Sequence, residues 1–306
     1  MDDRKALDAR ASGLMVVLCM IWGLQQVILK MAAPDISPIM QIALRSGLAA
    51  VLVLPLLCRE KNIQLLAPVY LRSGLLVAFF FALEFFLLAE AIRHTYASHT
   101  VVLLYTAPIF VALGLHWKLP AERLSILQWS GIGIAFLGVI LTFIRPQTVQ
   151  GIDTQSILWG DGLALMAAIA WAATTISIRL TPLSQAPATQ TMFYQMLGGF
   201  IVLMIVAWIT GQTEIHFTPL AVGSLIFHTF VVSFASFLAW FWLLRTYLAS
   251  RLGVFSFLTP IFGMGFGVYL LNEKLELNFL IGTALALLGV IVVSLPGWIQ
   301  SKRLKI

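Results

Sequence analysis

One feature of this sequence overrides the rest: ten apolar blocks, each about as long as a membrane-crossing helix, parted by short polar breaks. Hydropathy places them at about 12–32, 38–57, 71–92, 97–117, 125–144, 157–180, 190–210, 219–244, 251–271 and 278–298. A helix rising 1.5 Å per residue needs roughly 20 residues to cross about 30 Å of hydrocarbon. Lipid offers no partner to a stray amide or carbonyl, so blocks of this length must be helical. A transmembrane barrel would show alternating segments of about ten residues instead, and the sequence has none. Composition agrees, with 60% hydrophobic and only 10% charged residues, against about 25% charged in soluble domains. The sequence predicts an all-α membrane protein with ten transmembrane helices.

The net charge of +6 follows the positive-inside rule and does not mark a nucleic-acid surface. With a cytoplasmic N-terminus, only Lys30, Arg93, Arg145 and Lys274 of the 19 Lys and Arg fall in outer loops. Arg45 falls within a span, and the others lie in inner loops and tails. Both termini are therefore expected on the cytoplasmic side of the inner membrane. Residues 1–10 are charged like a signal-peptide n-region, but the apolar run after them is too long for an h-region. The first helix is expected to stay uncleaved. Cys19 and Cys58 are badly placed for a bridge and are expected to serve as packing residues.

The two halves repeat each other. Tyr-Thr-Ala-Pro-Ile-Phe at 105–110 matches Phe-Leu-Thr-Pro-Ile-Phe at 257–262, and Ala-Glu-Arg-Leu at 121–124 matches Asn-Glu-Lys-Leu at 272–275. Phe-Leu-Gly-Val-Ile at 136–140 matches Leu-Leu-Gly-Val-Ile at 287–291, and Arg-His-Thr-Tyr-Ala-Ser at 93–98 resembles Arg-Thr-Tyr-Leu-Ala-Ser at 245–250. Trp22 pairs with Trp171 and Lys30 with Arg179. The order is kept and the offsets stay between 149 and 152 residues. Each copy holds five spans. Five is odd, so the second copy enters the membrane from the opposite side, giving two inverted five-helix repeats at 12–145 and 157–298. The polar stretch around 146–156 divides them.

Ile21-Trp22-Gly23, Lys30 and Arg45, then the Pro-Ile-Phe, Glu-Arg-Leu and Leu-Gly-Val-Ile segments, resemble the signature of the EamA family of the drug/metabolite transporter superfamily. The resemblance covers about residues 12–298, and the second half carries most of it again. It implies a ten-helix carrier of amino acids, sugars or other small metabolites that works without ATP hydrolysis. The second copy departs from the pattern: Tyr194 stands where Arg45 stands in the first, and Ala172 replaces the glycine after tryptophan. Any charged part of the site is therefore expected to come from the first repeat.

Ionisable groups within hydrocarbon usually line a cavity or face a partner. Arg45 and Glu84 lie roughly 10 and 13 Å from the outer ends of their spans, counted at 1.5 Å per residue. They either pair with each other or meet the carboxylate and amine of a solute. Glu84 and His228 are the candidates for proton coupling. Trp22, Gln25 and Gln26 align with Trp171, Thr174 and Thr175, and together suit an apolar-walled cavity with a few polar contacts. Tyr194 completes the candidate substrate-binding set. Pro108 and Pro260 break the hydrogen-bond ladder at equivalent places and are the candidate helix hinges. Asp161 is expected to start the sixth helix, and Glu90, Arg93, His94 and His99 to form a wet outer rim.

These readings predict a secondary transporter that moves a small organic metabolite by alternating access. An amino acid or derivative, exported, follows from the resemblance. A multidrug-type exporter with an aromatic cavity is the alternative. No catalytic residue, metal or cofactor is implied, because the chain lacks His-Glu-x-x-His, Gly-x-Ser-x-Gly and Walker sequences. The expected partners are a small organic solute and membrane lipid, with no nucleic acid.

Overall fold

The structure is a computed structural model that describes residues 9–60, 63–118, 124–143, 154–246, 256 and 258–303. The Glu122-Arg123 part of the Glu-Arg-Leu motif, Arg145, the divider around 146–153 and most of the 245–250 copy lie outside the described residues. The first half comprises α1 (Ala9–Met31), α2 (Pro38–Arg59), α3 (Pro68–His94), α4 (Ala97–Leu104), α5 (Ala107–Lys118) and α6 (Ile126–Phe143). The second comprises α7 (Thr154–Leu180), a 3₁₀ turn (Pro182–Gln185), α8 (Ala188–Ile209), α9 (Pro219–Ile226), a π-helical segment (Phe227–Ser236), α10 (Phe237–Thr246), α11 (Leu258–Leu271) and α12 (Leu277–Arg303). Among the described residues the only extended pairing is an isolated bridge between Ile36 and Ile215.

Among the described residues, seven stretches are long and apolar enough to cross a membrane, including the joined Ala97–Lys118 and Pro219–Trp240. Three shorter apolar helices, Ile126–Leu141, Leu258–Leu271 and Leu277–Val292, accompany them. Many large apolar side chains face outward, among them Val51, Phe79, Trp208 and Tyr269. In a bilayer that surface is solvated by acyl chains, so it needs no polar cover.

Local sequence sets where helices begin and break. Pro38, Pro68 and Pro219 sit at helix starts, where a missing N–H is harmless. Ser37 and Thr218 cap two of those starts through their hydroxyl oxygens, which accept from Met40 N (3.2 Å) and Ala221 N (3.1 Å). Pro108 lacks an N–H and its ring crowds the carbonyl four residues back, that of Leu104. The helix stops at Leu104 and restarts at Ala107, so one apolar block becomes α4 and α5. Pro260 lies in the first turn of α11, buried. The π segment was not legible in the sequence.

Helix packing follows the repeat. α2 packs on α8 and α6 on α12, pairs of equivalent helices, and α4 packs on α11, which belongs to the span equivalent to the one that α4 and α5 share. The packing of α1 on α11 is mirrored by that of α7 on α4 and α5, and the packing of α3 on α8 by that of the π segment on α2. The α6–α12 contact is the tightest. A Cβ on Gly138 would come within 2.5 Å of Gly282 O, and one on Gly131 within 2.9 Å of Gly289 O. Gly289 in turn would meet Ala135 N at 2.4 Å. The residues Gly131, Ala135 and Gly138 correspond to Gly282, Ala286 and Gly289 at a constant offset of 151. Small residues let these helices approach closely, and the early residues of one lie against the late residues of the other, so the two run antiparallel.

Two ends of the bundle can be told apart. At one end lie the α1–α2 and α8–α9 loops, joined by His216 N donating to Asp35 O (2.8 Å) and Thr218 Oγ1 donating to Asp35 Oδ2 (2.6 Å). The α3–α4 joint and the start of α7 belong to this end, since a Cβ on Gly160 would touch Thr95 at 2.8 Å. At the other end, residues 63–67 and the 3₁₀ turn meet α8, where Gln64 N donates to Gln190 Oε1 (3.3 Å).

Candidate functional site

A cavity of about 570 Å³ lies between the halves, walled by α1, α3, the α4–α5 joint, α7, α8 and α10. Seven aromatic rings, Trp22, Phe81, Phe85, Tyr105, Trp171, Phe237 and Trp240, stand on its wall among polar and aliphatic side chains. The repeat mates Trp22 and Trp171 each stand edge-on to a second ring, Trp22 to Trp240 (centroids 5.6 Å apart) and Trp171 to Tyr105 (5.4 Å). Trp22 also donates through Nε1 to Ser236 Oγ (3.0 Å), which ties α1 to the end of the π segment. Phe81, Glu84 and Phe85 come to the cavity together because residues three and four apart share a helix face. The break at Tyr105–Thr106 places Leu104, Tyr105 and Pro108 on the wall.

Glu84 is the only acidic or basic side chain on that wall among the described residues. It is buried, yet its carboxylate makes no hydrogen bond or ion pair with any described residue. Arg45 is not on the wall. Its Nη1 donates to Gln25 Oε1 (3.1 Å) and its guanidinium lies over the Phe85 ring, Cζ 4.6 Å from the centroid. Gln25 and Phe85 are themselves wall residues, so Arg45 sits behind them, buried, with its Nε unpartnered. Arg45 and Glu84 therefore form no ion pair. His228 is fully buried away from the cavity. Its Nδ1 lies 2.8 Å from Ser224 O and its Nε2 3.0 Å from Gln25 O. A neutral ring has one N–H and can donate to one of these carbonyls, whereas a doubly protonated ring donates to both.

The cavity reaches the bundle end formed by the 3₁₀ turn, where Leu183, Ser184, Ala186 and Ala188 belong to its wall. The opposite end is closed by a buried polar cluster. Asp161 accepts from Thr95 Oγ1 (2.5 Å) and lies 2.9 Å from His99 Nδ1. Glu273 accepts from the backbone N–H groups of Ala97 (2.7 Å) and Ser98 (3.1 Å), capping α4. Lys30 Nζ donates to Thr95 O, within electrostatic reach of both carboxylates. His99 stacks on Phe279 at 3.9 Å. Apart from the Lys30–Thr95 bond, the contacts of this cluster join one half of the chain to the other. The Glu273 cap also explains Gly267, whose Cβ would fall 2.4 Å from Glu273 Oε2.

Of the residues singled out from sequence, Trp22, Gln25, Gln26, Glu84, Trp171, Thr175 and Pro108 line the cavity, whereas Arg45, Tyr194, His228 and Pro260 do not. Tyr194 donates through Oη to Leu65 O (2.6 Å) and packs on Gly74, joining α8 to the entrance of α3. Two expectations are corrected. Asp161 does not start its helix, because α7 begins at Thr154 and places Asp161 two turns inside, fully buried. His99 is not a wet rim residue but is buried against that carboxylate. Phe81, Phe85 and Phe237 were missed as wall residues. For the first two, their spacing around Glu84 was a usable signal.

A bundle of apolar helices in two like halves around a central cavity is the architecture of a membrane transporter. The family model described as EamA-like transporter family matches residues 10–144 and 158–295, and the chain belongs to that family. The uncharacterized transporter YoaV of Bacillus subtilis (strain 168) is 25% identical over 276 residues, 90% of this chain and 93% of that one. The probable amino-acid metabolite efflux pump of Escherichia coli (strain K12) is 26% identical over 293 residues, 93% of this chain and 95% of that one. A solved crystal structure shares the fold, with a TM-score of 0.63 and 15% identity over 94% of this chain and 96% of its own.

Proposed function

We propose that this chain is a ten-span secondary carrier of the inner membrane that exports a small organic metabolite, an amino acid or derivative, by alternating access. One observation carries the reading: a cavity between the halves reaches one end of the bundle, while the other end is closed by contacts that join those halves. In a carrier of this kind the closed end opens as the open end closes. The antiparallel α6–α12 contact supports inverted repeats of five spans each, at 12–145 and 157–298. Seven long and three shorter apolar stretches among the described residues support a count of ten spans. With both termini in the cytoplasm, the 3₁₀ turn faces inside, so the described state is open inward. The efflux pump among the relatives supports amino-acid metabolites as the substrate class and export as the direction. The aromatic wall also favours a second reading, a multidrug-type exporter with weak charge recognition.

Counterflow of a radiolabelled metabolite panel in proteoliposomes, beside Trp171→Ala, tests the proposal. Saturable exchange lost in the variant is expected. Flux that never saturates points to a channel and refutes the carrier.

A further inference from the structure

Resting on the reading of the cavity as the transport site, we infer that its substrate is an organic monocation: an amine with an apolar or aromatic body and no carboxylate. The inference comes from what the wall presents. Its one acid or base among the described residues is Glu84, which is buried and accepts no hydrogen bond from any described residue, with the Arg45 guanidinium in electrostatic reach but forming no ion pair with it. A buried carboxylate without hydrogen-bond donors is costly even with a cation in reach, and an ammonium brought to it supplies N–H donors in direct contact. Around it stand Trp22, Trp171 and Trp240 with Tyr105 and Phe81, rings whose faces attract cations.

The group that would receive a substrate carboxylate is Arg45, and it lies behind the wall rather than on it. Gln25 takes its Nη1 and Phe85 covers its guanidinium plane, both standing between it and the cavity. Thr174 and Thr175 spend their hydroxyl protons on Ala170 O and Trp171 O, both at 3.2 Å, and Trp22 spends its N–H on Ser236. A zwitterionic amino acid would therefore bury its carboxylate against neutral amides, in the field of Glu84. The decarboxylated amine of the same side chain avoids that penalty and keeps every favourable contact. A second unpartnered acceptor, Gln26 Oε1, belongs to the same wall.

The test uses purified full-length protein in lipid nanodiscs and three probes with one ring: 2-phenylethylamine, L-phenylalanine and 2-phenylethanol. Binding is read by equilibrium dialysis of the radiolabelled compounds. The amine is expected to bind at least about tenfold tighter than either the amino acid or the alcohol, a charge effect of ordinary size for a desolvated cation. Glu84→Gln, checked for monodispersity and thermal stability, is expected to erase that preference, and Glu84→Asp to keep part of it. Equal or tighter binding of L-phenylalanine overturns the inference, because a carboxylate would then find a partner. Equal binding of the alcohol also overturns it and leaves an aromatic site indifferent to charge. A preference that survives Glu84→Gln overturns it as well. Counterflow of any panel solute lost in Trp171→Ala while the amine fails to bind defeats the substrate class but leaves the carrier site standing. Counterflow indifferent to Trp171→Ala defeats the site itself.

Discussion

If the polar cluster holds one end of the cavity shut, loosening it must expose the cavity to the outer solution. Glu273→Gln is the sharpest perturbation. The carboxylate accepts two backbone N–H bonds from the first turn of α4, at 2.7 and 3.1 Å, and sits in the field of Lys30. Glutamine keeps one carbonyl acceptor but turns an N–H₂ toward the second backbone donor. One charge-assisted bond is lost and the other becomes neutral. At roughly 1.5–3 kcal/mol for a bond to a charged group, the closed form should lose about 2–3 kcal/mol. Each 1.4 kcal/mol is tenfold, so the outward-open population should rise about 30- to 150-fold. The assay is the labelling rate, by a membrane-impermeant maleimide added outside, of Gln26→Cys in a background where Cys19 and Cys58 are serine. Gln26 lines the cavity and is almost fully buried, so its labelling reports opening. Glu90→Gln is the control, because Glu90 accepts from Arg93 (3.0 Å) and, at a long 3.4 Å, from Gln212 at the same end without touching α4. A Glu273→Gln protein that folds normally yet labels within twofold of its parent would refute the idea that this cap keeps the end closed.

Three further outcomes are expected. Gly138→Ala places a Cβ within 2.5 Å of two α12 backbone atoms, whereas Gly133 faces open space. The first change should lower thermal stability in detergent by about 1–3 kcal/mol, or about 2–5 °C, and Gly133→Ala should leave it unchanged. Pro108→Ala restores the missing donor and should let α4 run into α5, slowing counterflow several-fold while probe binding stays within about threefold. Glu84 faces Arg45 from α2 and Tyr105 from the α4–α5 joint, with His228 beyond Arg45. Protonated Glu84 beside Arg45 carries the same net charge as ionised Glu84 with Arg45 and an ammonium, so amine and proton can exchange one for one. An imposed amine gradient should then drive protons the other way, read by a trapped pH dye, and Glu84→Gln should abolish the signal.

The sequence told depth well and direction poorly. Apolar length located the long helices, and the aligned Trp22 and Trp171 found two anchors of the cavity, because duplication puts equivalent residues at equivalent depth. Arg45 and Glu84 were placed at similar depth, but whether they meet depends on helix rotation, which is set by partners many residues away: Gln25 and Phe85 hold Arg45 behind the wall, and Glu84 accepts no hydrogen bond from the described residues. Asp161 and Glu273 looked like ordinary residues near helix ends. Their importance arises from the α3–α4 joint, where Thr95, Ala97, Ser98 and His99 converge on them. The π segment has no composition of its own, so nothing along the chain announced it.

The duplication supplies symmetric packing but not a symmetric site. Gly131, Ala135 and Gly138 meet their own counterparts across the α6–α12 contact, so that interface works identically for both halves. The cavity does not: its carboxylate comes from α3 alone, and Tyr194, at the place matching Arg45, is spent on Leu65. A carrier gains from this inequality. Near-symmetric halves make inward- and outward-open forms close in energy, because each is roughly the other with the repeats exchanged. A binding group supplied by one half only stays single while the halves exchange shapes, so the same Glu84 can meet the solute in both forms. If the amine is the substrate, alternating access needs no second charge on the wall, and the second repeat is free to vary there.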